Sequence, residues 1–194
     1  MTRATTDAVA FVLSAGVPTD VEDALFIDPE PVGPGGGRRL LATVEPLEQS
    51  RRGAEIAASA LATLREAFAD AAALPVSVAL ARAFAAANAA VREENRLQVR
   101  EGRGRRVDVG ATAVVLEGRE LTIAQVPPTQ AIVAQDAQVY AFPCLDSWGP
   151  DYLPTIDRPT PPAEPLGYAD RICPDLYRTV MAPGDLVLLC STGL

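Results

Sequence analysis

Glu22 and Asp23 stand side by side in the string TDVEDALFIDPE, just ahead of an apolar run, and Glu45 closes the next apolar segment, LLATVE. Carboxylates at the ends of strands supply the hard oxygen ligands that Mg²⁺ or Mn²⁺ takes. Whether these three converge is a property of the fold rather than of their spacing, and an adjacent acid pair at a strand end is equally a solvated one. The chain of 194 residues contains no histidine, which removes the commonest general base, the commonest metal ligand and the near-neutral proton switch together. Catalysis would therefore rest on carboxylates, hydroxyls or a bound metal ion.

Two other groupings invite a chemical reading. Gly33-Pro34-Gly35-Gly36-Gly37 precedes Arg38-Arg39, but a phosphate-cradling loop needs a strand before it, a helix after it and a Lys-Ser/Thr pair. Here a strand follows and the lysine is missing, so the segment reads as a flexible turn. Arg96, Arg100, Arg103, Arg105 and Arg106 form the only basic cluster, partly neutralised by Glu93, Glu94 and Glu101. No aromatic residue interleaves to stack a base. The cluster reads as a solvated helix end and loop, with docking of a phosphorylated or acidic partner as the alternative.

The elements that must position these residues follow from periodicity. Ala8 to Ser14, Ala24 to Asp28 and Arg39 to Val44 read as strands. Ala57, Leu61, Leu64, Phe68 and Ala71 recur at helical spacing, as do Leu80, Phe84, Ala87 and Val91, with Pro75 and Ser77 between the two sets. The period then shortens. Ala111–Glu117 and Leu121–Val126 flank a Glu117-Gly118-Arg119 turn, and Ala131–Ala134 and Gln138–Phe142 make a second hairpin. The proline-rich stretch from Pro143 to Gly167 reads as an extended surface loop. Asp175–Val180 and Leu186–Cys190 are expected to close a final strand pair around Pro183-Gly184-Asp185, the unbroken apolar run of the second being expected to lie buried on both faces. Strands, two long helices, then antiparallel strands define an α+β chain with helices segregated onto sheet faces.

Composition bounds the setting. Apolar residues make up 48% and charged residues 22% of a chain of single-domain length, the balance of a soluble globular protein. The net charge of −8 argues against nucleic acid and anionic membranes as partners, since those surfaces attract basic patches. No apolar stretch has the length of a membrane span, and Ala8–Ala15 reads as a first strand rather than a signal-peptide core. Cys144, Cys173 and Cys190 show no metal-ligand spacing, which suits reduced thiols in a cytoplasmic protein.

Taken in order, these segments resemble the metal-dependent protein serine/threonine phosphatases of the PP2C (PPM) family over nearly the whole chain. TDVEDALFIDPE is similar to the family's Asn-Glu-Asp strand start, and LLATVEP to its strand running into Asp-Gly. GAEIAASALATLREAF and ALARAFAAANAAVREEN resemble its two long helices. VGATAVVLEGRELTIAQVPPTQAIV is similar to its Gly-Thr-Thr-Ala hairpin followed by Val-Gly-Asp-Ser-Arg-Ala, and PGDLVLLCSTGL to its Pro-Gly-Asp strand ending in Ser-Asp-Gly. The resemblance implies a four-layer α-β-β-α sandwich, two antiparallel sheets with a helix pair on each outer face, here with the last helix and strands missing. It also implies a site at one end of the sandwich where carboxylates hold two Mn²⁺ or Mg²⁺ ions and a bridging water attacks a phosphoester.

The departures fall on that site. Glu22 and Asp23 match the acidic pair, but the family's metal-binding Asp becomes Glu45, and the Gly that offers a carbonyl becomes Pro46. The histidine after it has no counterpart, and the phosphate-binding Arg falls near Pro18, Thr19 and Asp20. Gly-Asp-Ser-Arg becomes Pro127-Pro128-Thr129-Gln130, and the Asp of Ser-Asp-Gly becomes Thr192, a neutral hydroxyl. A divalent pair needs several anionic oxygens to offset its dehydration. The expectation is a pseudophosphatase: a catalytically inactive domain with a vestigial metal set of Glu22, Asp23 and Glu45, degenerate at Pro46, Pro128 and Thr192, needing no cofactor and binding Mg²⁺ or Mn²⁺ weakly at most. Its expected partner is a protein, a kinase, a phosphoprotein or a second copy of itself, met through Trp148 and Tyr152 of the proline-rich loop. The alternative is an enzyme with residual or altered metal-dependent phosphoester hydrolysis on the same three acids.

Overall fold

The computed structural model describes residues 13–14, 17–18, 25–27, 37–48, 50–100, 102, 105–135, 137–142 and 164–191. Among the described residues, ten strands and two helices run in the order β1 (Leu13–Ser14), β2 (Val17–Pro18), β3 (Leu25–Ile27), β4 (Arg38–Pro46), α1 (Arg51–Asp70), α2 (Val76–Arg100), β5 (Val109–Glu117), β6 (Glu120–Val126), β7 (Gln130–Gln135), β8 (Gln138–Phe142), β9 (Asp175–Val180) and β10 (Leu186–Cys190).

The helices start and pair where the sequence demands. Ser50 holds an extended backbone and its hydroxyl accepts from the Gly53 amide at 3.0 Å, capping α1. A side chain at Gly53 would lie 2.3 Å from the Glu48 carbonyl oxygen, so the tight lead-in to α1 needs glycine there. The predicted stripes, Ala57, Leu61, Leu64 and Phe68 on α1 and Leu80, Phe84, Ala87 and Val91 on α2, are all buried. Ala60, Ala79 and Ala83 join them without bulk, which lets the helices lie close together on the sheet. Beneath them lie Leu40, Ala42 and Val44 of β4, Ala111, Ala113 and Val115 of β5, and Ala124 and Val126 of β6. At the far end of α1, Arg38 donates to the carbonyls of Ala72 and Leu74 at 2.7 and 2.8 Å while its Nε pairs with Glu117, placing a cation at a helix C-terminus.

The helix-bearing sheet has the order β3-β4-β5-β6-β9, antiparallel throughout. Its other face, with Val114, Leu121 and Ile123, meets Ala131, Val133, Val187 and Leu189 of a second sheet ordered β10-β7-β8. The described residues thus supply the α+β sandwich as one helix pair and two stacked antiparallel sheets. The hairpins at Gly118 (φ 62°) and Ala137 (φ 63°) form as predicted. Among the described residues no helix is long and apolar enough to cross a membrane.

Three expectations need correction. β9 and β10 are not a strand pair: β9 closes the helix-bearing sheet against β6, and β10 pairs with β7 in the other. Asp185 explains the crossing, since its carboxylate accepts from the Ala182 amide and from Gln135 Nε2 at 2.6 and 2.9 Å, and Gln135 also donates to the Val180 carbonyl. The turn is thereby tied to β7. Nor is β10 buried on both faces: Leu186 and Leu188 are exposed while Val187 and Leu189 face the inter-sheet core. Finally, the end of the proline-rich stretch is not surface loop. Leu166 is fully buried, bridges Val109, and sits beside Gly167, whose absent side chain would meet Val91 at 2.5 Å. Asn88 of α2 holds this segment by accepting from the Gly167 amide and donating to the Ala169 carbonyl.

Candidate functional site

Glu45 is half-buried at the end of β4, opposite Gly110 of β5. Because paired residues of an antiparallel ladder share a face, Glu45 and Gly110 lie on the inter-sheet side with Thr43, Thr112 and Val114. The register orders that face into rows. The outermost described row is Glu45 and Gly110, followed by Thr43, Thr112, Gln125 and Asp175, then by Leu41, Val114, Ile123 and Tyr177. The inter-sheet space is thus apolar in its middle and polar at the end where β4, β6 and β10 finish.

The polar row is largely neutral and internally bonded. Thr112, Thr129, Gln125 and Thr43 are buried. The Thr112 and Thr129 hydroxyls meet at 2.8 Å, Thr129 Oγ1 donates to the Val126 carbonyl at 3.2 Å, and Gln125 Nε2 donates to the Thr129 carbonyl at 2.9 Å. These bonds fix the crossing from β6 to β7, where the chain passes between sheets through a cis Pro127-Pro128 peptide. Pro128 lies directly over Gly110: a Cβ there would fall 2.5 Å from Pro128 Cδ. An apolar ring therefore covers the strand partner of Glu45.

Of the predicted site residues, Glu45, Pro46 and Pro128 come together at this end, Pro46 as the last residue of β4, opposite Val109. Glu22, Asp23, Trp148, Tyr152 and Thr192 lie outside the described residues. Asp175 is an additional acid on the same face, yet it is three strands from the β4 column, about 14 Å at ordinary strand spacing. It does not converge with Glu45. Sequence reasoning missed Thr112, Gln125 and Thr129 as a unit; the available signal was Gln125 as an isolated polar residue in the apolar strand LTIAQV.

Of the three acids that the resemblance implies as metal ligands, Glu45 alone lies among the described residues. Glu45 is the one carboxylate among the described residues of its two rows that lies near the β4 end, the next row holds Thr43, Thr112 and Gln125 on β4, β5 and β6, and Pro128 lies over its strand partner. Among the described residues no group of three or more Asp, Glu, Cys or His side chains is placed to hold a metal. The predicted basic cluster divides: Arg96 and Arg100 are exposed on α2, whereas Arg106 pairs with Asp108, donates to the Gly167 carbonyl and stacks over Tyr168 at 5.0 Å. Arg106 is exposed, as a solvated loop residue would be, and it also ties the loop to Asp108 and Gly167.

Solved structures of similar shape identify the fold. The chain has the PP2C-like fold of protein serine/threonine phosphatases. It matches the catalytic domain of the serine/threonine protein phosphatase PstP, solved in complex with two manganese ions, with a TM-score of 0.59 and 19% identity, over 89% of this chain and 75% of that one. A bacterial serine phosphatase variant matches with a TM-score of 0.62 and 13% identity, over 95% and 75% of the two chains. A Stage II sporulation E family protein from Thermanaerovibrio acidaminovorans matches with a TM-score of 0.54 and 20% identity, over 84% and 80%. No protein-family model and no curated protein matches the sequence.

Proposed function

We propose that this chain is a cytoplasmic pseudophosphatase, a PP2C-like domain that does not hydrolyse phosphoesters and acts by binding a protein partner. The observation that carries this reading is the packing of Pro128 onto Gly110 beside Glu45. The resemblance implies an aspartate at the Pro128 position, and a proline ring offers no anionic oxygen to a hard divalent cation. The two manganese ions of the PstP domain belong to that protein. With Thr192 in place of the implied aspartate as well, the anionic oxygens that offset divalent charge are too few.

The partner is a kinase, a phosphoprotein or a second copy of the chain, and Trp148 and Tyr152 are its contact residues in the proline-rich stretch. Aromatic side chains deliver large contact area at low entropic cost. Trp148→Ala with Tyr152→Ala is expected to weaken capture of the partner at least tenfold; unchanged capture removes this segment as the contact. The β3–β4 register favours one second reading, residual metal-dependent hydrolysis. Leu25 pairs with Thr43, Asp23 precedes Leu25 by two residues, and Glu45 follows Thr43 by two. Turnover of p-nitrophenyl phosphate that depends on Asp23 would select that reading.

A further inference from the structure

Gln125 is 1% exposed, and among the described residues no donor reaches its Oε1, a fully buried acceptor. The amide orientation is fixed, because turning it over would set Oε1 against the Thr129 carbonyl oxygen that Nε2 now meets at 2.9 Å. The Thr112 and Thr129 hydroxyls share a 2.8 Å contact in which either can donate, and Thr129 Oγ1 also lies 3.2 Å from the Val126 carbonyl oxygen. In either arrangement the Thr112 oxygen keeps a lone pair that can accept a further hydrogen bond. Gln125 and Thr112 are register partners on one face of adjacent strands, so two neutral polar oxygens belong to one cross-strand pair.

We propose that Gln125 Oε1 and Thr112 Oγ1 hold one internal water between the two sheets. A water brings two protons and suits a pair of neutral acceptors. A divalent ion demands anionic oxygens that this pair lacks. Buried acceptors otherwise left without a donor are costly, which is why such groups are met by protein or ordered solvent. The water completes a chain of hydrogen bonds from β5 and β6 into the Pro127–Gln130 crossing and so helps to position Pro128. This inference does not depend on whether the chain hydrolyses phosphoesters.

Two measurements test it. A crystal structure at about 1.5 Å is expected to show one density peak at ordinary hydrogen-bond distance, about 2.7–3.2 Å, from both oxygens. Magnetic relaxation dispersion of the wild-type protein is expected to count one more long-lived internal water than the Gln125→Met variant. A dry site, an equal water count, or a protein donor on Oε1 overturns the proposal. So does a peak with the shorter, multiple oxygen contacts of a cation that is exchanged when the salt is changed. Should Gln125→Met fail to fold, the wild-type density decides alone.

Discussion

Asp185 lies in the Pro-Gly-Asp string that most directly suggested the fold, and its role is architectural. The Ala182 amide, then Gln135, then the charge of Arg119 hold its carboxyl below the usual carboxylate range. A group with a depressed folded pKa contributes stability that is fully present above its unfolded value, about 4, and lost as the pH falls through the folded value. The wild-type denaturant midpoint is therefore expected to exceed that of Asp185→Asn at pH 7, and the gap to close below about pH 4. A gap independent of pH would remove the carboxylate from the account. Gly110 gives a second prediction at this scale. Gly110→Ala drives a methyl into Pro128 and is expected to cost about 1–3 kcal/mol of unfolding free energy. Combining it with Pro128→Ala should recover part of that loss, since the two residues touch. Additive costs would show that Pro128 does not cover Gly110.

At the scale of elements, the helices were legible because a stripe of period 3.6 survives whatever packs against it: Leu61, Leu64 and Phe68, or Leu80, Phe84 and Val91, name their own buried face. Strand partnership was less legible. Pro183-Gly184-Asp185 has the residue types of a hairpin turn, and only the contacts of Asp185 with Gln135, some 50 residues away in sequence, send β10 to the other sheet. The run Leu186–Cys190 was likewise silent on coverage, because an apolar side chain does not declare whether a neighbouring layer exists. The alternation now seen gives a test. Leu189→Ala, facing the inter-sheet core, is expected to cost about 2 kcal/mol or more, whereas Leu188→Thr, on the exposed face, should change stability by about 0.5 kcal/mol or less. Equal costs would contradict the register of β10. Arg38 is the matching case on the helix side. Its two bonds to the turn that follows α1 predict a loss of about 2 kcal/mol for Arg38→Met in denaturant unfolding, and no loss would mean that water serves those carbonyls equally well.

Across the whole molecule, six short strings in order point to the fold, and the described residues form its sandwich of one helix pair and two antiparallel sheets. The site was less open to reading. Glu45, Pro46 and Pro128 could be named by correspondence, but the placement of a proline ring over Gly110, and the neutral row of Thr43, Thr112 and Gln125 behind Glu45, arise only when β4, β5 and β6 are in register. The fold and the proposed loss of chemistry are thus separable claims, one resting on shape and the other on a handful of oxygens. Calorimetric titration of the protein with Mn²⁺, run beside an assay of p-nitrophenyl phosphate hydrolysis, tests the second most directly. The account predicts no saturable binding tighter than the millimolar range and no turnover above background; tight binding with turnover that Asp23→Ala abolishes would contradict it.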